Sequence, residues 1–189
     1  MSEARRTAAA FVARGVDGVD GVAVRGPGLA LLSLGSNESP EHHLRAAVAE
    51  LRARFGDIVV SPVYRTPAEA FEGPDFLNCA AALRSDLEPQ ALNEWLHALE
   101  DRHGRRRDVP RFSSRTLDVD IVYFDDRVMR GGGNLQLPRP ELKHAFVLKP
   151  LADIAPDFVD PVQGHTLAAL WAAHREAAQP PAVEAVDLG

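Results

Sequence analysis

Asp118 and Asp120 stand one residue apart in the stretch RFSSRTLDVDIVYF, residues 111–124, with Arg111 and Arg115 ahead of them. The rest of the run from Leu117 to Phe124 is apolar, β-branched or aromatic, which is the composition of a strand. A strand sends alternate side chains to opposite faces. Leu117, Val119, Ile121 and Tyr123 are therefore expected against a core, with both carboxylates together on the other side. Two like charges roughly 6 to 7 Å apart on one face repel unless a cation sits beside them. The candidates are the arginines or a bound divalent cation.

Six arginines fall within RHGRRRDVPRFSSR, residues 102–115. Hard Mg²⁺ takes one or two carboxylates and fills its octahedron with phosphate oxygens and water, while Arg makes paired hydrogen bonds to other phosphate oxygens. The combination suits phosphoryl transfer. On composition alone, a solvated loop whose arginines simply pair with the aspartates fits equally well. A glycosidase pair fits less well, because the arginines would keep both carboxyls ionised and leave no acid.

The elements that must position these groups can be read along the chain. At 189 residues, 46% apolar and 25% charged, it suits one domain with a full core. Residues 1–27 carry a helix-capable ARRTAAAFVAR and a VDGVDG stutter, read as a loosely attached extension; the domain runs over 28–178, and 179–189 form a tail. LALLSLGSN is a strand, and SPEHHLRAAVAELRARFG is a helix with Ser39 as N-cap, Pro40 at its first position and Gly56 as its stop. IVVSPVYRTP and FLNCAAAL read as two strands joined by the loop AEAFEGPD. A second helix, Pro89 to His103, buries Leu92, Trp95, Leu96 and Leu99 and stops at Gly104. The aspartate strand follows. This order is the α+β, ferredoxin-like βαββαβ pattern: an antiparallel sheet with both helices on one face and the other left for a site. Short C-terminal helices are expected near AFVLKPLADIAP and TLAALWAAHREAA.

Composition also bears on setting. No apolar run approaches the roughly 20 residues of a membrane span, and the first residues lack the compact apolar block of a secretory signal. A cytoplasmic monomer is expected. The single Cys79, mid-strand, reads as a buried thiol without chemistry. The net charge of -6 argues against broad nucleic-acid affinity.

RFSSRTLDVDIVYF, with LLSLGSN, VYRTPAEAFEGPDFLN and AFVLKPLADIAP, closely resembles the 6-hydroxymethyl-7,8-dihydropterin pyrophosphokinase family of folate biosynthesis. Four separate segments occur in the family's order between about residues 29 and 172, and Arg115, Asp118 and Asp120 carry its most distinctive motif. The resemblance implies a ferredoxin-like fold and transfer of the β,γ-pyrophosphoryl group of ATP to the pterin hydroxymethyl oxygen, releasing AMP. It implies that Asp118 and Asp120 hold two Mg²⁺ ions and that Arg105 and Arg115 neutralise the phosphates, with Arg107 and Arg111 on a loop that closes over them. His97 and Glu100 resemble positions beside the nucleotide. The pterin would lie between Phe112 and Phe146, with Phe76 on the same wall and Asn78, Thr66 and Pro67 reading its amide edge. Without the resemblance, Phe76 and Phe146 read as core.

The sequence departs from the family in LPRPELKHAF. Arg139 and His144 stand where many members carry His and Arg, in a segment one residue shorter, and both are expected on ATP. Two other readings stay open: a pterin- and ATP-binding relative that turns over weakly, and a ferredoxin-like module whose arginine-rich segment captures RNA or another polyanion. An RNA module would want stacking rings on its central strands, and FLNCAAAL offers alanines.

Overall fold

The structure is a computed structural model that describes residues 10–12, 26–68, 73–105 and 114–189. Arg107, Arg111, Phe112, part of the AEAFEGPD loop and most of the N-terminal extension lie outside these residues. The core elements are β1 (Gly28–Ser36), α1 (Pro40–Phe55), β2 (Ile58–Val60), β3 (Val63–Thr66), β4 (Phe76–Ser85), α2 (Pro89–Arg102) and β5 (Asp118–Phe124). The sheet runs β5-β1-β4-β3, every pair antiparallel. This is the ferredoxin-like arrangement expected from the element order.

Local chemistry sets the helix ends. Pro40 opens α1 with its fixed φ, and Gly56 closes it at φ 78, a conformation that Gly adopts without steric cost. Ser39 occupies the N-cap position but differs from the expected cap: it is left-handed at φ 45 and its side chain makes no capping bond. The apolar stripes of the two helices, Leu44, Ala47, Val48 and Leu51 with Leu92, Leu96 and Leu99, bury against Leu32, Leu34, Cys79, Ala81, Leu83, Val119 and Ile121. Trp95, expected inside, is half-buried and packs edge-on against Phe55 at 5.1 Å.

Three features correct the sequence reading. IVVSPVYRTP is two strands, because Pro62 has no N–H to give the ladder and Ser61 pairs in its own way: its N–H donates to Ala80 O and its Oγ accepts from Ala80 N, both at 2.9 Å. Tyr123 does not share a face with Val119 and Ile121. The register of β5 on β1 shifts between Ile121 and Tyr123, leaving Val122 as an extra residue, so that Phe124 takes the helix face and Tyr123 turns to the other. There its hydroxyl donates to the buried Asp160 Oδ2 at 2.6 Å.

The third correction concerns the face expected to be free. After the small hairpin β6 (Met129–Arg130) and β7 (Gln136–Leu137) and a 3₁₀ turn at Pro140–Lys143 come α3 (Ala145–Ile154) and α4 (Leu167–Ala172). Val147, Leu148, Leu151, Ile154 and Leu167 cover Leu29, Leu31, Ala80, Ala82, Val122 and Tyr123. The open part of that face is thereby reduced to the end where β1 finishes and β5 starts. Residues 179–189 also do more than trail: β8 (Ala182–Glu184) adds to the edge of β3, and Leu188 buries in the first core. Phe11 and Val12 pack on the second core, and Arg84 Nη2 donates to both their carbonyls.

Candidate active site

At the open end of the sheet, the register lines up three strands. Gly35 of β1 lies opposite Asp118 of β5 on one side and Asn78 of β4 on the other. Asp120, Gly35, Asn78, Phe76 and Thr66 have the parity that points away from α1 and α2, so they share the face on which a ligand can sit. Asn78 is only 5% exposed and donates through Nδ2 to Thr66 Oγ1 at 2.7 Å. Its Oδ1 lies 2.9 Å from where a Cβ on Gly35 would stand, so the glycine gives that amide its room. Pro67 follows on the surface directly after β3.

The charged end is built around β5. Asp118 accepts Arg105 Nη1 on Oδ1 and Arg115 Nη1 on Oδ2. Arg105 Nη1 also donates to Leu117 O at 3.0 Å and lies 3.3 Å from Glu100 Oε1. Glu100, 2% exposed, accepts Val119 N at 2.9 Å, so one buried carboxylate fixes both the start of β5 and the guanidinium beside it. Asp120 Oδ1 faces Arg139 Nη2 at 2.8 Å. Arg139 arrives there because its own N–H donates to Val122 O at 3.0 Å, which lays its segment along β5.

These surroundings separate the carboxyls. Burial opposes ionisation of Asp118, but Arg105 and then Arg115 outweigh it and hold the carboxyl below its ordinary value. Asp120 is pushed up to about 7 by burial first and by the Asp118 charge second. Glu100 is pushed up to about 7 by burial, with Asp118 and Asp120 adding to the effect against the pull of Arg105.

The donor set fits a hard divalent cation. Two carboxylates project from one strand, and among the described residues Asp120 Oδ2 has no partner. No group of three or more His, Cys, Asp and Glu among the described residues could hold a metal alone. Mg²⁺ commonly takes one or two carboxylates and completes its shell with phosphate oxygens and water.

A family model for 7,8-dihydro-6-hydroxymethylpterin-pyrophosphokinase (HPPK) matches residues 31–156. The chain belongs to this family. A 2-amino-4-hydroxy-6-hydroxymethyldihydropteridine pyrophosphokinase of Synechocystis sp. is 39% identical over 142 residues, covering 73% of this chain and 72% of the relative. The enzyme of that name from Pseudomonas aeruginosa is 39% identical over 136 residues, or 67% of this chain and 80% of its own. In fold, the chain is similar to wild-type Plasmodium falciparum HPPK-DHPS, with a TM-score of 0.62 at 13% identity over 81% of this chain. It spans 46% of that longer polypeptide.

Against the HPPK pattern, the remaining expected residues fall in three places. His97, half-buried on α2, backs onto the glycines that join β6 to β7: a Cβ on Gly133 would lie 3.0 Å from its Cε1, and Gln90 Oε1 accepts Gly132 N at 3.0 Å. His144 heads α3 and stacks on Phe146 at 5.0 Å with the rings 18° apart. The ring beside Phe146 among the described residues is thus His144, while Phe112, Arg107 and Arg111 lie outside them.

One residue of the site went unread in the sequence. Asn37, 3% exposed, accepts Arg115 N on Oδ1 at 2.6 Å and donates through Nδ2 to Pro74 O at 3.1 Å. Its N–H also donates to Arg115 O at 3.0 Å. It ties the loop that leads into β4 to the arginine just before β5. Its only sequence signal is an Asn after a strand, which reads as a turn residue.

Proposed function

We propose that this chain transfers the pyrophosphoryl group of ATP to the hydroxymethyl oxygen of 6-hydroxymethyl-7,8-dihydropterin, giving the pterin pyrophosphate and AMP in folate biosynthesis. The observation that carries the reading is the row Asn78, Gly35, Asp118 across three adjacent strands. Two strand spacings, about 10 Å, separate a buried amide from the carboxylates. A two-ring heterocycle with a one-carbon arm bridges such a gap, its amide edge on Asn78 and its hydroxyl at the charged end. Asn suits that edge because its side chain offers both a donor and an acceptor.

In the reaction the hydroxymethyl oxygen bonds to the β-phosphorus, the bond from that phosphorus to the oxygen that leaves with AMP breaks, and the hydroxyl proton passes to solvent. Arg105, Arg115 and Arg139 supply permanent positive charge where phosphate charge accumulates, and the developing charge on AMP falls to them. Phe76 and Phe146 offer faces for stacking the pterin, and Thr66 holds the Asn78 amide in its orientation. His97 and Glu100 flank the nucleotide, Glu100 by fixing Arg105 and β5; His144, Arg107 and Arg111 belong with the phosphates and Phe112 and Pro67 with the pterin. Two Mg²⁺ ions held by Asp118 and Asp120 would neutralise phosphate and lower the pKa of the hydroxyl. Positioning and charge neutralisation then supply most of the catalysis.

Among the described residues no helix is long and apolar enough to cross a membrane. We place the protein in the cytoplasm as a monomer acting on small molecules. The test is direct: purified protein, MgATP and the pterin, with products separated by chromatography. AMP and pterin pyrophosphate are expected. ADP, or salt-sensitive nucleic-acid binding without AMP, would overturn the reading.

A further inference from the structure

We propose that Arg139 is a built-in counter-cation of Asp120, which keeps the carboxylate pair from taking Mg²⁺ by itself and yields when ATP phosphate offers it a better partner. Metal and nucleotide then enter together. The inference rests on the functional reading above.

Of the four carboxylate oxygens on Asp118 and Asp120, Arg105 and Arg115 take the pair on Asp118, and Arg139 takes Oδ1 of Asp120. A divalent cation arriving alone meets three guanidinium charges and finds only Oδ2 of Asp120 without an arginine on it among the described residues, so it cannot draw on both carboxylates unless an arginine gives way. A triphosphate reverses the balance, because it brings more negative charge than the two aspartates and more oxygens for the arginines to bond.

Arg139 is the arginine placed to make that move. It lies outside the arginine-rich run and approaches β5 from the far side, on the segment that follows β7. Its grip on Asp120 is incomplete. Nη2 reaches Oδ1 at 2.8 Å and Nη1 donates to Asn134 O at 3.3 Å, but Nε is buried without a hydrogen-bond partner among the described residues, 3.4 Å from Glu141 Oε2. Nε and Nη2 together form the side-on fork that binds phosphate in two parallel bonds. Among the described residues only one tine of that fork has a close partner. Since a guanidinium stays charged at any working pH, Arg139 does not leave Asp120 by losing its proton, and a competing anion is what can draw it away. By linkage, whatever the nucleotide does for metal affinity the metal does for nucleotide affinity.

The probe is Mn²⁺, followed by the EPR signal of the free ion, with and without the non-hydrolysable analogue α,β-methylene-ATP. The parent should bind Mn²⁺ poorly alone and much more tightly with the analogue. Arg139→Gln should bind Mn²⁺ alone on the order of tenfold more tightly than the parent, as expected when one partner of a close charge pair is removed. Arg139→Lys, which keeps the charge, should stay near the parent. Equal Mn²⁺ affinity in the parent and a folded Arg139→Gln would overturn the proposal. So would a parent that binds Mn²⁺ as tightly alone as with the analogue, a result that needs no variant. AMP formation in the assay above separates the two failures: a parent that makes AMP with either result loses only this role for Arg139, whereas a parent that makes none loses the functional reading as well.

Discussion

Asp118 and Asp120 share one face of β5 and are held in opposite ways: Asp118 has an arginine on each oxygen, while Asp120 has Arg139 on Oδ1 alone. Asp118 is therefore kept ionised, and Asp120 titrates near 7 because it is buried and its neighbour's charge adds to the penalty. Removing either carboxylate should abolish AMP formation, yet the two losses should affect the metal-free fold differently.

Asp120→Asn removes a charge that the fold resists, so its melting temperature at pH 8 should equal or exceed that of the parent. Asp118→Asn removes the carboxylate that Arg105 and Arg115 share, leaving Arg105 with Leu117 O and Glu100, and should cost roughly 2 to 4 kcal/mol. The pH dependence follows in sign. For Asp120 and Glu100 the native values, about 7, lie above the ordinary carboxylate values of 3.8 and 4.5, so the unfolded chain ionises first and stability falls as pH rises through that window. Asp118 works in reverse, its contribution being lost only as pH falls below the ordinary carboxylate range. Melting curves of metal-free protein from pH 5 to 8 should slope downward, less steeply in Asp120→Asn. An identical slope would remove Asp120 from the account.

Glu100 offers a cleaner separation of packing from charge. Glu100→Gln keeps an acceptor for Val119 N and removes a buried charge, so the fold should hold while Arg105 loses one anchor. Glu100→Ala leaves a buried N–H unsatisfied and should cost about 1 to 3 kcal/mol. Turnover should fall in both. Equal urea midpoints for the two variants would mean that the Val119 bond contributes nothing.

Where the sequence carried contrast, its reading and the structure coincide. Helix α1 lies between Pro40 and Gly56, and α2 between Pro89 and Gly104, because an opening proline, a glycine stop and apolar spacing mark both. Where contrast was missing, inference stopped. Ile121 to Phe124 are all apolar, so nothing in the sequence distinguishes a regular strand from one with Val122 as an extra residue, and Tyr123 was assigned to the wrong face. The three residues of β8 are too short to show a period. The motif formed by Arg115, Asp118 and Asp120 was visible because its members are local. The Arg139 to Asp120 pair was not, because the β6–β7 hairpin intervenes and the bond from Arg139 N to Val122 O lays the two side by side. Phe76 and Phe146 carried a pterin reading only through family resemblance.

Gly35 gives a test of the pterin end that leaves the charges alone. A Cβ there would stand 2.9 Å from Asn78 Oδ1, a distance that forces the amide to shift and strains its bond to Thr66. Gly35→Ala should keep ATP affinity close to that of the parent and raise the pterin KM about tenfold or more, the scale expected when a buried hydrogen-bonding group is misplaced. Loss of ATP affinity with an unchanged pterin KM would place the heterocycle elsewhere.

The last prediction concerns the pair that joins the start of α1 to the end of α2. His43 Nδ1 and His103 Nδ1 lie 2.9 Å apart, and His103 Nε2 faces Glu50 Oε1 at 3.1 Å. A hydrogen bond between the two Nδ1 atoms needs a proton on one and a lone pair on the other, so both rings cannot be imidazolium. The surroundings decide which stays neutral. His43 sits in the first turn of α1, where the helix dipole opposes positive charge, and its pKa is lowered by burial first, then by His103 and His42, with Glu38 pulling weakly the other way. His103 is the C-cap residue of α2, its Nε2 beside Glu50, which also holds Arg102. Because the native value of His43 is depressed, its stabilising contribution is present above 6.5 and is lost as pH falls through the lower native value. His43→Gln keeps a side chain able to hydrogen-bond His103 and cannot titrate. Urea midpoints at pH 7.5 and pH 5 should therefore differ between parent and variant chiefly at the acid end, with the variant relatively more stable there. Comparing the two proteins at each pH cancels the opposing trend from Asp120 and Glu100, which both contain. A variant that tracks the parent at both pH values would show that the His43 to His103 bond is indifferent to protonation.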